Sequence, residues 1–356
     1  MQLLKQLPLL LAAVLIFYTK SLQAQTCTQE DALKKTGSWK KNEDYIHPGI
    51  NYTPDMKTEI FTRIEKLRQI IFRAYTPRGM EVGYKNEIYE TPLFKSGTVP
   101  YALWGQMLQY NCNKNTHQLE LADESSDNFY VFANQFGRSL NYDTSMHVGR
   151  LYAALMPYRV GNIRGLDLFQ SGLVRINERM LIISRDGQLP YTVLTRKQFL
   201  VAFKKKLQNE ENSILSRPML GAKSEDQKAN AEKYWTSRYD PKIKIIDDYL
   251  SAASADDLGQ VAFVKDMTDF KNFITEKEGG RMVAILNSNY FNANEKPYYP
   301  QFILVFWQWD DGEGPGGGLL RPVAPDMNIC CKISKYFKDC LEQNLDIGAI
   351  RQLLDK

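Results

Sequence analysis

The stretch Met180–Leu207, MLIISRDGQLPYTVLTRKQFLVAFKKKL, is where the chain changes character. Met180 to Ser184 is an apolar run of strand formers. Asp186-Gly187 follows, a pair that tolerates positive φ and signals a tight hairpin. The return run Leu189–Leu194 contains Pro190, which cannot donate to a ladder and so suggests an edge strand or a bulge. Thr195 then stands as a helix N-cap with Gln198 in capping-box position. Phe199, Phe203 and Leu207 recur every fourth residue and form one apolar helical stripe. Strand, turn, strand and helix are legible in this stretch, and a catalytic mechanism is not.

Upstream the chain reads as strand-rich. Thr53-Pro54 opens the clearest helix, an N-cap followed by proline at the first helical position. Met56, Ile60, Ile64, Leu67, Ile71 and Ala74 run down one face of it. From Tyr84 to Phe136, and again from Val148 to Ile176, short alternating or apolar runs separated by polar turns predict antiparallel strands. Downstream of Thr195 the balance shifts to helix. Asp240-Pro241 reads as the start of a new helix carrying Ile243, Ile246 and Leu250 on one face. Arg281–Leu286 and Phe302–Trp309 read as buried strands, because their apolar runs are nearly continuous. Tyr336–Leu354 has helical periodicity. The expected fold is α+β. A strand-rich antiparallel N-terminal half with one long helix (25–194) precedes a helix-rich C-terminal half with a few buried strands (195–356).

Residues 1–24 have the form of a signal peptide. Lys5 is the positive head, Leu7–Tyr18 an apolar segment too short to span a bilayer, and Ser21-Leu-Gln-Ala24 a small-residue end. No later segment is apolar for long enough to cross a membrane. The mature chain is therefore expected to be exported, to the periplasm or beyond. Roughly 330 residues then remain, enough for a sizeable core and a soft prior for two domains. Against 45 basic residues stand 41 acidic ones, a balance that argues against nucleic acid as a partner. Lys204-Lys-Lys206 reads as the solvated face of its helix.

The chain has five cysteines, an odd count for an oxidising compartment. Cys330 and Cys331 are adjacent, so only one of them is expected to reach Cys340. A Cys27–Cys112 bridge would tie the N-terminal arm to a strand end, leaving one thiol of the vicinal pair free. The alternative is five reduced cysteines serving as small apolar residues.

Gly312-Glu-Gly-Pro-Gly-Gly317 matches a dinucleotide-binding pattern after a strand, but Pro322 and Pro325 block the helix that would receive the pyrophosphate. No cofactor is expected. Asp310, Asp311 and Glu313 form an acidic set of the kind that binds calcium, without the alternate spacing of a calcium loop. A solvated turn is the default reading. His47, His117 and His147 match no metalloprotease spacing. Trp307 and Trp309 share one face of their strand. They are either core or a stacking platform for a sugar or peptide, and they are the binding-site candidates. Core is favoured, because Phe302–Phe306 reads as buried on both faces.

Gln23-Ala24-Gln25, Thr195-Arg-Lys-Gln-Phe-Leu200, Tyr290-Phe291 and Pro300-Gln-Phe-Ile303 resemble elements of uncharacterised exported proteins of the Bacteroidetes. The resemblance implies a compartment and carries no activity. The expected function is non-catalytic binding of a protein, peptide or glycan. The alternative is a secreted hydrolase whose carboxylates are dispersed in sequence.

Overall fold

The computed structural model describes residues 27–355 except 49–51, 90–97, 114, 124–126, 137–140, 171–176, 186–187, 217–223, 265–279, 293 and 310–327. The signal segment, Asp186-Gly187, Asp310, Asp311 and Glu313 all lie outside the described residues.

Helix α1 (Gln29–Lys34) starts from a capping box between Thr28 and Asp31. Helix α2 (Pro54–Ala74) begins as expected, Thr53 Oγ1 accepting from the Met56 amide. Its buried stripe of Ile60, Ile64, Leu67, Ile71 and Ala74 packs on a sheet. The strands of that sheet are β1 (Trp39–Lys41), β2 (Tyr45–Ile46), β3 (Met80–Ile88), β4 (Tyr101–Cys112), β5 (Leu119–Leu121) and β6 (Asp127–Ala133), joined by four later ones. These are β9 (Tyr158–Ile163), β10 (Leu166–Gln170), β11 (Asn177–Ile183) and β15 (Ile303–Trp309). Among the described residues the ten run in the order β1-β3-β4-β6-β15-β11-β10-β9, with β2 beside β3 and β5 beside β4. Pairing is antiparallel except where β1 and β2 meet β3.

A second sheet of five described strands is built from β7 (Asn141–Val148), β8 (Leu151–Leu155), β12 (Tyr191–Val193), β13 (Phe263–Val264) and β14 (Arg281–Leu286). Its order is β12-β14-β8-β7, with β13 beside β14. Side chains alternate between its faces, so Ala154, Tyr191 and Ala284 meet Phe132, Met180, Ile182 and Leu304 of the large sheet. Ala153, Leu155 and Val283 point the other way, onto helices α3 (Arg196–Ser216) and α4 (Glu225–Ala252). The short α5 (Ala255–Gly259) follows α4. On the far side of the molecule α6 (Asn328–Asn344) and α7 (Ile347–Arg351) join α2 against the large sheet. The result is four layers: helices, large sheet, small sheet, helices.

This architecture corrects the expected fold class. The mixture of helix and strand stands, but the C-terminal half is not a helix-rich annex. It supplies β13, β14 and β15, with β14 between β12 and β8 and β15 between β6 and β11. Periodicity reports local conformation, whereas these strands find partners far away in sequence. The hairpin expected around Asp186-Gly187 is a crossover instead. Strand β11 belongs to the large sheet and β12 to the small one, so the two never pair. Nor does Asp240-Pro241 start a helix. Pro241 lies inside α4, on an exposed position where a carbonyl deprived of its partner can tilt toward solvent. The Thr195–Gln198 capping box does form, with the Gln198 amide on Thr195 Oγ1 at 3.2 Å and the Thr195 amide on Gln198 Oε1 at 2.9 Å.

Candidate functional surface

Across β3, β4, β6 and β15 the register decides which side chains share a face. Val82, Met107, Phe129, Val131, Val305 and Trp307 point toward α2, α6 and α7 and are fully buried. Trp307 is thus core, and cannot serve as a platform. Trp309 closes the same strand, and its side chain is not among those described. Gly105 makes room for this packing. A Cβ there would sit 1.9 Å from the ring of Phe129, its cross-strand partner.

The opposite face carries two parallel rows. Lys85 pairs with Trp104, Trp104 with Tyr130, and Tyr130 with Phe306, which places three aromatic rings side by side on consecutive strands. Ring centroids lie 6.2 Å apart between Trp104 and Tyr130, and 6.0 Å apart between Tyr130 and Phe306. Phe132 stacks behind Tyr130 at 4.9 Å. Tyr45 on β2, 43% exposed, pairs with Glu87 two residues along from Lys85, and its ring leans back toward the row. The Lys85 ammonium lies over both flanking rings, 4.5 Å from Trp104 and 5.7 Å from Tyr45. It is also ion-paired to Glu87 Oε1 at 2.8 Å, so its charge is matched within the row.

One step along the strands, Gly83 pairs with Gln106, Gln106 with Asn128, and Asn128 with Gln308. Two residues of strand separate the rows, about 6.8 Å. Gly83 has no side chain because the space is taken. The Asn42 amide nitrogen is 2.7 Å from where its Cβ would stand. Asn42, Gln106, Asn128 and Gln308 therefore form a row of amides beside the aromatics. Asn128 Nδ2 donates to Gln308 Oε1 at 2.9 Å, and its own buried Oδ1 takes no hydrogen bond. The small sheet covers this face only at one end. Phe132, Met180 and Leu304 are buried there, while Trp104, Tyr130, Phe306, Gln106 and Gln308 remain part-exposed at its rim.

Glu81 extends the same face. Burial pushes its carboxyl up, but bonds from the Ser38 hydroxyl (2.5 Å), Tyr110 and the Ser38 amide (3.1 Å), with Lys40 nearby, bring it below the ordinary value. Tyr110 is correspondingly pushed up to about 12 by burial and by Glu81.

A second concavity lies between α3 and α4, a cleft of about 730 Å³ lined by Lys204, Lys205, Gln208, Glu211, Asn212 and Asp240 among others. Burial, and then the charge of Asp240, raises the Glu211 carboxyl. These two carboxylates line one cleft, which has no aromatic lining among the described residues. Lys204 is engaged by Asp247 at 2.6 Å and Lys206 by Glu210 at 3.7 Å. Lys205 is exposed, but the Lys204 and Lys206 side chains are only 29% and 13% exposed, so the run is not the wholly solvated face expected.

The remaining sequence candidates disperse. Cys27 and Cys112 form a disulfide with Cα atoms 5.7 Å apart. Cys340 is a free thiol. The bridge expected from it to Cys330 or Cys331 does not form, because all three lie on α6. Nine residues of helix separate Cys331 from Cys340 by about 13 Å, well beyond the roughly 7 Å between Cα atoms that a disulfide spans. His47 follows β2, His117 sits between β4 and β5 at φ 56°, and His147 is in β7. Among the described residues no three His, Cys, Asp or Glu side chains form a metal-binding group. No described helix is long and apolar enough to cross a membrane.

The aromatic and amide rows went unidentified in the sequence because each strand contributes one member. Their trace is the alternation of Trp104, Gln106 and Leu108 within β4. Comparison with known proteins finds no matching family model, no matching curated protein and no matching solved structure.

Proposed function

We propose that this chain is an exported, non-catalytic binding protein that holds a polar ligand on the part of its large sheet that faces the small sheet's side and extends past its rim. The observation that carries this reading is the pairing of Trp104, Tyr130 and Phe306 in one row with Gln106, Asn128 and Gln308 in the next. Rings offer flat apolar area at small conformational cost, and amides offer donors and acceptors together. Rows of this kind on a rigid sheet are preorganised for binding. They carry no nucleophile, and of the carboxylates beside them Glu87 is engaged by Lys85 and Tyr89, Glu81 by Ser38 and Tyr110, and Glu178, opposite Gln308, is buried. The disulfide at the start of the mature chain supports the exported reading, because such bonds persist in oxidising compartments.

The test is a turnover screen of the purified chain on glycan, ester and peptide substrates, run beside a binding screen of the same compounds. Binding without turnover is the expected result. Turnover that survives Gln106→Ala and is lost in Glu211→Gln would move the function to the cleft between α3 and α4 and end this reading.

A further inference from the structure

We propose that the ligand is an extended, uncharged polysaccharide crossing the strands from β2 to β15. The inference rests on the reading of this face as the binding surface and adds the class of molecule bound.

Charge is the first argument. Among the described residues both cations of the strip are matched, Lys85 by Glu87 and Lys40, the cross-strand partner of Gly83, by Glu81 at 3.6 Å, and the amide row runs on to the carboxylate of Glu178 opposite Gln308. An acidic polymer needs a surplus of cationic groups to replace its counter-ions, and this strip offers none. A strip whose cations are all matched suits an uncharged chain better than an acidic one.

Hydrogen bonding is the second. A hydroxyl both donates and accepts, and so does a primary amide, so a row of amides can meet hydroxyls in either orientation. An extended peptide instead pairs best with the open edge of a sheet, where main-chain groups wait in register. Gln106, Asn128 and Gln308 lie across the middle of the sheet, on β4, β6 and β15.

Geometry is the third. Neighbouring strands stand about 4.8 Å apart, close to the advance of an extended chain of pyranose rings per sugar. From β2 to β15 the row crosses four strand spacings, about 19 Å, room for on the order of four sugars. A pyranose has apolar C–H faces and a hydroxyl rim. Lying along the aromatic row, it would set its faces on Tyr45, Trp104, Tyr130 and Phe306 and its rim beside the amides.

Binding of the full mature chain would be measured by calorimetry. The probes are cellohexaose, xylohexaose, laminarihexaose and mannohexaose, with polygalacturonate, heparin and casein peptides as alternatives. Tyr45→Ala and Gln106→Ala test the two rows, and Tyr234→Ala, on the exposed flank of α4, is the control. Melting temperatures verify that each variant folds. The expected result is binding of at least one neutral hexasaccharide that weakens about tenfold in each row variant and is unchanged in the control. If only polygalacturonate, heparin or peptides bind, and do so through Tyr45 and Gln106, the polysaccharide proposal falls while the binding face stands. Should no probe depend on Tyr45 or Gln106, both readings fall together.

Discussion

The two faces of the large sheet are made by the same strands and have opposite chemistry. On the helix side, cross-strand neighbours such as Gly105, Phe129 and Trp307 interlock small against large, and both large side chains are fully buried. On the other side, the residues one position along are Trp104 or Gln106, Tyr130 or Asn128, and Phe306 or Gln308, half-covered and rich in donors and acceptors. A strand alternates its side chains, so one stretch of sequence serves both stability and recognition. What distinguishes the faces is what lies over them, and that is decided by chain segments far away.

The largest expected difference between the faces is energetic. Trp307→Ala should cost about 3–5 kcal/mol by removing a fully buried side chain, and Trp104→Ala distinctly less because its ring is part-exposed. Denaturant midpoints for the two variants decide it, and equal losses would mean that the face turned away from the helices is core as well. Next comes the disulfide, which anchors the end of β4 without touching either face. Replacing Cys27 and Cys112 by serine should lower stability by about 2–4 kcal/mol while leaving ligand affinity unchanged. A matching loss of affinity would couple the arm to the binding surface.

Glu81 gives the comparison a pH axis. Its folded carboxyl titrates below the ordinary 4.5, so the stabilisation is complete above that value and is lost as pH falls through the folded one. Glu81→Gln should destabilise by about 1–3 kcal/mol at neutral pH, from hydrogen bonds to a charged group. The gap between parent and variant melting temperatures should narrow as the pH falls below the ordinary carboxylate value through the folded one. A gap independent of pH would assign the effect to packing. Smallest of all is Tyr45→Ala, expected within about 0.5 kcal/mol because the ring is exposed. A protein that keeps its midpoint and loses its ligand would separate recognition from stability most cleanly.

Local features of this fold are legible in the sequence. Helix α2 announces itself by Thr53, Pro54 and its apolar stripe, and the capping box at Thr195 is a matter of four consecutive residues. The run Phe302–Trp309 reads as a buried strand because both its faces are apolar at one end. Its partners are another matter. Nothing within Ile303–Trp309 specifies that Val305 will lie opposite both Val131 and Leu181, since several apolar runs in the chain would pair equally well. The same blindness hides the candidate surface. Trp307 attracts attention by its neighbour Trp309, whereas Trp104, Tyr130 and Phe306 become a row only once β4, β6 and β15 are side by side. The vicinal cysteines mislead for the converse reason. Spacing allows a bridge to Cys340, and the rigidity of one helix forbids it.

The position of β15 in the middle of the large sheet has a bearing on synthesis. A chain made from its N-terminus has β6 and β11 complete long before residue 303 emerges, and these strands cannot pair with each other in the native order. Until β15 arrives, the growing polypeptide holds two partial sheets, each with an open hydrogen-bonding edge. Such edges invite association with other chains. Closure joins segments more than a hundred residues apart, the kind of non-local step that is slow because loop entropy precedes the reward. The strand that completes the sheet is among the last to be made, so folding waits for nearly the whole chain. A translocation channel that requires an unfolded substrate would find this polypeptide still open for passage.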